Sequence, residues 1–195
     1  GLAFPLATVA CTHVVHGRHA YKGLALLAAT AMMLRLELVC LAVPAYLWTW
    51  WHHQRRFVYV FMSGAVTCAG SIALSVLVDS YFWRKRFLWP EGHAVIFNVI
   101  EGRSAEWGVS PPWTYVVRDL PRILFAAFPL ALLGCTRRSS FRSPLVLLIC
   151  THVGLMSFLA HKEWRFLVYI VPLCNMLAAQ GASMLIRPYL ARGLI

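Results

Sequence analysis

The chain has 195 residues, of which 60% are hydrophobic and 13% charged, and its mean hydropathy is +0.67. A soluble domain carries about 25% charged residues, so the composition argues against a soluble globular enzyme, and equally against a disordered or collagen-like chain. Apolar runs long enough to cross a bilayer predict an all-α polytopic membrane protein. The 18 Lys and Arg against 7 Asp and Glu give +11. These basic residues gather in short loops between apolar runs, which is positive-inside patterning and not a nucleic-acid footprint.

The chain opens inside an apolar run, GLAFPLATVAC, with no initiator Met and no signal peptide. Residues 1–195 are therefore read as an internal part of one transmembrane domain. Apolar segments run from Gly1 to Val15, Gly23 to Trp50, Phe57 to Val78, Leu120 to Leu133, Pro144 to Ala160 and Phe166 to Ile186. Between them lie HGRHAYK (16–22), WHHQRR (51–56), a polar-aromatic loop at about 79–119, GCTRRSSFR (134–142) and HKEWR (161–165).

The second run decides the topology. As one helix it would measure about 42 Å, against a hydrocarbon core of about 30 Å. Arg35 and Glu37 interrupt it in MLRLELV. One span would put HGRHAYK and WHHQRR on opposite sides, although both are basic and free of acids. Two short helices meeting at Arg35–Glu37 put both on the cytoplasmic side. Alternation then leaves Arg18, Lys22, Arg55, Arg56, Arg137, Arg138, Arg142, Arg187 and Arg192 inside. Glu37, Asp79, Glu91, Glu101, Glu106, Asp119 and Glu163 fall together on the far side, where acid–base chemistry would reside.

Loop 79–119 holds Trp83, Trp89, Trp107 and Trp113 with Tyr81, Phe82 and Tyr115. Belt aromatics at a membrane boundary account for part of this. They do not account for the charges and glycines mixed among them. Aromatic faces beside polar groups suit a sugar groove, because C–H faces stack on rings while polar groups take hydroxyls. Gly92, Gly102 and Gly108 permit turns.

HKEWRF (161–166) concentrates His161, Lys162, Glu163 and Arg165 at a bilayer edge. It reads either as an interfacial anchor or as an anion cradle, with Lys and Arg on a phosphate and Glu163 orienting them. Arg35 and Glu37 are costly inside an apolar run unless paired or facing a cavity. They fit either a salt bridge fixing the turn or a polar wall of the outer cavity. The six cysteines and eight histidines show no C-x-x-C and no metal-ligand spacing, and there is no G-x-G-x-x-G or P-loop. A transporter, with Arg35 and Glu37 lining a pathway, is the competing class. A piece with only an assembly role is a third.

The pieces DSYFW (79–83), WPEG (89–92), FN (97–98), S-x-x-WG-x-SP (104–111), LPR (120–122) and HKEWRF (161–166), with R-x-E at 35–37, stand in order over about residues 30–186. Together they resemble the glycosyltransferase family 22 mannosyltransferases of the endoplasmic reticulum. W-P-E-G and S-x-x-W-G-x-S-P are most similar to the α-1,6 branch of that family. α-1,2 and GPI-anchor mannosyltransferases are the alternatives within it.

The resemblance implies a multi-pass GT-C fold with its active face in the lumen. It implies inverting transfer of mannose from dolichyl-phosphate mannose to a dolichol-diphosphate-linked oligosaccharide of the N-glycan pathway. No metal or cofactor is implied. His161, Lys162, Glu163 and Arg165, with Arg35 and Glu37, would serve the donor phosphate or substrate. Asp79, Trp83, Trp89, Glu91, Asn98, Ser104, Trp107 and Gly108 would serve the acceptor or the loop. The resemblance places the catalytic base in a lumenal loop upstream of Gly1, so residues 1–195 alone are expected to be inactive.

Overall fold

The structure, a computed structural model, describes residues 1–53 and 57–191. Arg55, Arg56 and Arg192 of the predicted basic loops lie outside the described residues. Every regular element among the described residues is helical.

Helices α1 (Ala3–His16) and α2 (Ala20–Met33) form an antiparallel hairpin. Gly17 closes α1 at φ 71°, a left-handed conformation that glycine adopts without strain, and its amide reaches the His13 and Val14 carbonyls. The long second run is broken as predicted. The Leu34 and Arg35 amides both close onto the Thr30 carbonyl, at 3.0 and 3.2 Å. Arg35 is extended, Leu36–Leu38 makes one 3-10 turn, and α3 (Val39–His53) follows.

Helix α4 (Phe57–Trp83) returns beside α3, with Gly64 against the Tyr46 ring. It ends near α2's own end, since Trp89 bonds to Met32 just after it. Thus α2 and α4 run in one direction and α3 in the other. The 17–19 turn and the end of α3 share one end of the bundle, and the Arg35 break lies at the other. The exposed face of α4 carries Phe61, Met62, Val66, Leu74 and Leu77, while Ser71 and Ser75 are buried. That arrangement inverts the helix of a soluble protein.

The segment 79–119 is largely helical rather than an open loop. Asp79 to Trp83 belong to α4, which runs five residues past the predicted end and stops at Arg84, φ 53°. Then come α5 (Pro90–Val95), a π turn at Ile96–Ile100, a 3-10 turn at Arg103–Trp107 and a π turn at Tyr115–Asp119.

The predicted span Leu120–Leu133 is two helices, α6 (Leu120–Leu124) and α7 (Ala127–Cys135), parted at Phe125, φ 47°. Pro129 explains this. It has no N–H for the Phe125 carbonyl, and its ring clashes with that carbonyl in a continuous helix. After the short α8 (Arg138–Phe141), α9 (Leu145–Ser157) runs back along α3. Pro172 acts in the same way on the last run. Trp164–Ile170 is 3-10, and α10 (Val171–Ala191) begins anew.

Helices α7 and α10 cross at Gly134 and Gly181. A Cβ on Gly134 would strike the Leu177 carbonyl, and one on Gly181 the Leu130 carbonyl. Ser140 Oγ lies 2.6 Å from the Gly134 carbonyl and 2.7 Å from Gln180 Oε1, locking the crossing. Two helical stretches, Phe57–Trp83 and Trp164–Pro188, are long and apolar enough to cross a membrane. Helices α1, α2 and α9 are apolar but shorter, at 14, 14 and 13 residues.

Candidate functional site

At the end of the bundle that carries the Arg35 break lies an open groove of about 920 Å³. Four segments meet there. The break brings Arg35 and Glu37; α5 and its π turn bring Glu91 and Asn98; the 3-10 turn brings Ser104 and Trp107; the 158–166 segment brings His161, Glu163 and Arg165. One wall is apolar, formed by Leu155, Met156, Phe158, Leu159 and Phe166. Charged and apolar side chains thus line the same groove.

Glu163 organises the last segment. Its carboxylate accepts from Arg165 Nε at 2.6 Å, pairs with the second Arg165 nitrogen, and lies 3.3 Å from His161 Nε2. Burial acts to raise the Glu163 carboxyl, but Arg165 and His161 outweigh it and hold the group below the usual carboxylate range. Its amide donates to the Tyr115 hydroxyl at 3.2 Å, tying this extended residue ahead of the Trp164–Ile170 stretch to the 115–119 element.

Arg35 and Glu37 make a looser pair. Arg35 Nε lies 3.3 Å from Glu37 Oε1, but its N–H is directed at the Tyr169 hydroxyl, also at 3.3 Å. Glu37 Oε1 is thus buried beside a cation without a hydrogen bond of its own. Glu91 Oε2 accepts from the Leu36 amide at 2.9 Å. Burial pushes the Glu91 carboxyl up, the Leu36 amide opposes this, and Glu37 adds to it.

Five of the predicted residues do not line the groove. Lys162 is buried and donates to the Ser110 and Leu159 carbonyls at 3.0 and 2.6 Å. Burial lowers its pKa from the usual lysine value. Asp79 accepts from Ser75 Oγ at 2.7 Å on α4. Trp83 is exposed at the end of α4. Trp89 stacks over Gly92, where no Cβ would fit, and donates from Nε1 to the Met32 carbonyl. Gly108 sits at φ 107° beside the His161 ring, a turn that only glycine makes cheaply.

Sequence reasoning gave Tyr169 no role, yet it holds Arg35. The 3-10 turn supplies the signal: at three residues per turn, Phe166 and Tyr169 share a face. Among the described residues no three His, Cys, Asp or Glu side chains converge as a metal-ligand set. The groove thus presents two guanidinium groups, Arg35 and Arg165, three carboxylates, Glu37, Glu91 and Glu163, and an apolar wall.

The model of the Alg9-like mannosyltransferase family matches residues 4–194. The chain is 36% identical over 173 residues to a Schizosaccharomyces pombe protein named a probable Dol-P-Man:Man(7)GlcNAc(2)-PP-Dol alpha-1,6-mannosyltransferase, covering 84% of the chain and 30% of that relative. Proteins of the same α-1,6 name from Drosophila melanogaster and Saccharomyces cerevisiae are 44% and 32% identical, over 108 and 185 residues. Those matches cover 55% and 93% of the chain, and 16% and 33% of the relatives. The chain spans a third or less of the length of these curated relatives. No solved structure matches it.

Proposed function

Because the chain belongs to the Alg9-like mannosyltransferase family, we propose that it forms part of a multi-pass GT-C membrane enzyme. The enzyme transfers mannose in α-1,6 linkage from dolichyl-phosphate mannose to a dolichol-diphosphate-linked oligosaccharide, at the lumenal face of the endoplasmic reticulum membrane. The observation that carries this is the groove itself. Arg35, Glu37, Glu91, Asn98, His161, Glu163 and Arg165 converge on one cavity from distant parts of the chain, beside an apolar wall suited to a lipid tail. The names of the relatives support the linkage, and the outward apolar face of α4 supports the bilayer.

In this reading Arg165 and His161, oriented by Glu163, face the donor phosphate, with Arg35 as a further cation. Transfer forms a bond from the acceptor oxygen to mannose C1 and breaks the bond from C1 to the phosphate oxygen. The phosphate leaves with the electron pair, and a carboxylate takes the acceptor's proton. Stabilising the departing phosphate is the part of this chemistry the guanidinium groups supply.

The test is complementation with the full-length protein in cells lacking the α-1,6 step. The expected result is loss of the accumulated seven-mannose lipid-linked glycan and appearance of the eight-mannose form, read by mass. Continued accumulation of the seven-mannose glycan sinks the assignment.

A further inference from the structure

A break between helices leaves backbone groups without helical partners. At the end of α2 the Met32 carbonyl is such a group, and at the start of the Leu36–Leu38 turn the Leu36 amide is another. Leu34 has no polar side chain to cap with, and Arg35 makes no side-chain capping bond. Both groups are met from W-P-E-G, 57 and 55 positions away: Trp89 Nε1 donates to the Met32 carbonyl at 3.0 Å, and Glu91 Oε2 accepts from the Leu36 amide at 2.9 Å.

The four residues of W-P-E-G are built for this. Trp89 is extended before a proline, as the ring of Pro90 requires. Pro90 starts α5 at the position where its missing N–H costs nothing. The His93 amide closes onto the Trp89 carbonyl at 3.1 Å. Gly92 lies under the indole, which a Cβ would displace. Arg35 and Glu37, in contrast, have little else to hold them in the groove beyond their own pairing and Tyr169.

We propose that Trp89 and Glu91 form one clip across the helix break, the indole capping α2 and the carboxylate capping the α3 side, and that this clip aims Arg35 and Glu37 at the groove. Both are positioning residues, and their effect on transfer rests on the groove being the substrate site. The clip also explains why W-P-E-G is a contiguous unit: two caps with a fixed separation need a rigid spacer.

The experiment compares wild type with Trp89→Phe, Glu91→Ala and Glu91→Gln in the full-length protein, by hydrogen exchange and by transfer kinetics. Trp89→Phe keeps the ring and loses only the donor; Glu91→Gln keeps an acceptor and loses the charge. Amides 34–38 are expected to exchange about five- to tenfold faster in Trp89→Phe and Glu91→Ala, the size of a lost cap. Amides at the α7–α10 crossing keep their wild-type rates, which shows the fold intact. Glu91→Gln keeps 34–38 protected and transfers several-fold faster than Glu91→Ala. Wild-type exchange at 34–38 in Glu91→Ala overturns the clip. So does a Glu91→Gln protein as slow as Glu91→Ala with protection retained, since charge and not capping would then matter. If the wild-type protein transfers no mannose, the reading of the groove falls, and the exchange rates still decide the clip.

Discussion

Lys162 donates from Nζ to the Ser110 carbonyl at 3.0 Å, across 52 positions of sequence. The lysine of H-K-E-W-R is thus a strut between the 158–163 segment and the turn after Gly108. The Ser110 amide returns the bond, donating to the Ala160 carbonyl at 3.0 Å. Replacing Lys162 by Met strands two carbonyls and is expected to cost about 2 kcal/mol, read as a lowered unfolding midpoint. Lys162→Arg is expected to rescue little, because a planar fork does not fit where a compact ammonium reaches two carbonyls.

Glu163 sets an acid limit on stability. Its folded pKa lies below the unfolded value of about 4.3, so the unfolded state holds the proton more tightly. The stability it contributes is complete above the unfolded value and is lost as pH falls through the folded one. Glu163→Gln removes that acid limb in melting curves. It also releases Arg165 and His161, and mannose transfer is expected to fall about tenfold or more.

Glu91 gives the opposite slope. Its folded pKa is raised, so the folded state keeps a proton that the unfolded chain has released. Stability therefore falls as pH rises from about 4.3 through the folded value, and stays lower above it. Glu91→Gln flattens the melting profile above pH of about 4.3, while Glu163→Gln acts below it. Melting curves of the two variants over the acid range separate the effects.

Glycines at three positions on apolar helices are expected to behave differently. Gly134→Ala and Gly181→Ala drive a methyl into backbone of the opposite helix, and about 3 kcal/mol is lost. Gly154 of α9 has open space where a Cβ would stand. Gly154→Ala is expected to be neutral or to stabilise by up to about 1 kcal/mol. Unfolding midpoints of the three variants check the contrast.

The helix break at Arg35–Glu37 was legible because two charges two residues apart have no cheap place in a continuous apolar helix. Phe125 was not, since hydropathy does not register that Pro129 removes one donor and crowds one carbonyl. The loop at 79–119 hid its helical turns because each lasts five or six residues, too short for a periodic signal. Among the site residues, side-chain chemistry marked Glu37, Glu91, His161, Glu163 and Arg165 as candidates for the groove. It marked Lys162 equally, and only the fold separates a lysine facing a cavity from one buried against carbonyls. Tyr169 escaped because its partner lies 134 positions earlier.

That same distance has a kinetic meaning. Contacts between remote parts of a chain form late, after the entropy of closing a long loop has been overcome. Arg35 and Glu37 leave the ribosome long before Tyr169, His161 or the apolar wall exist. Until the final helix docks, the half-built pocket exposes carboxylates and grease together, the kind of surface that quality-control factors bind.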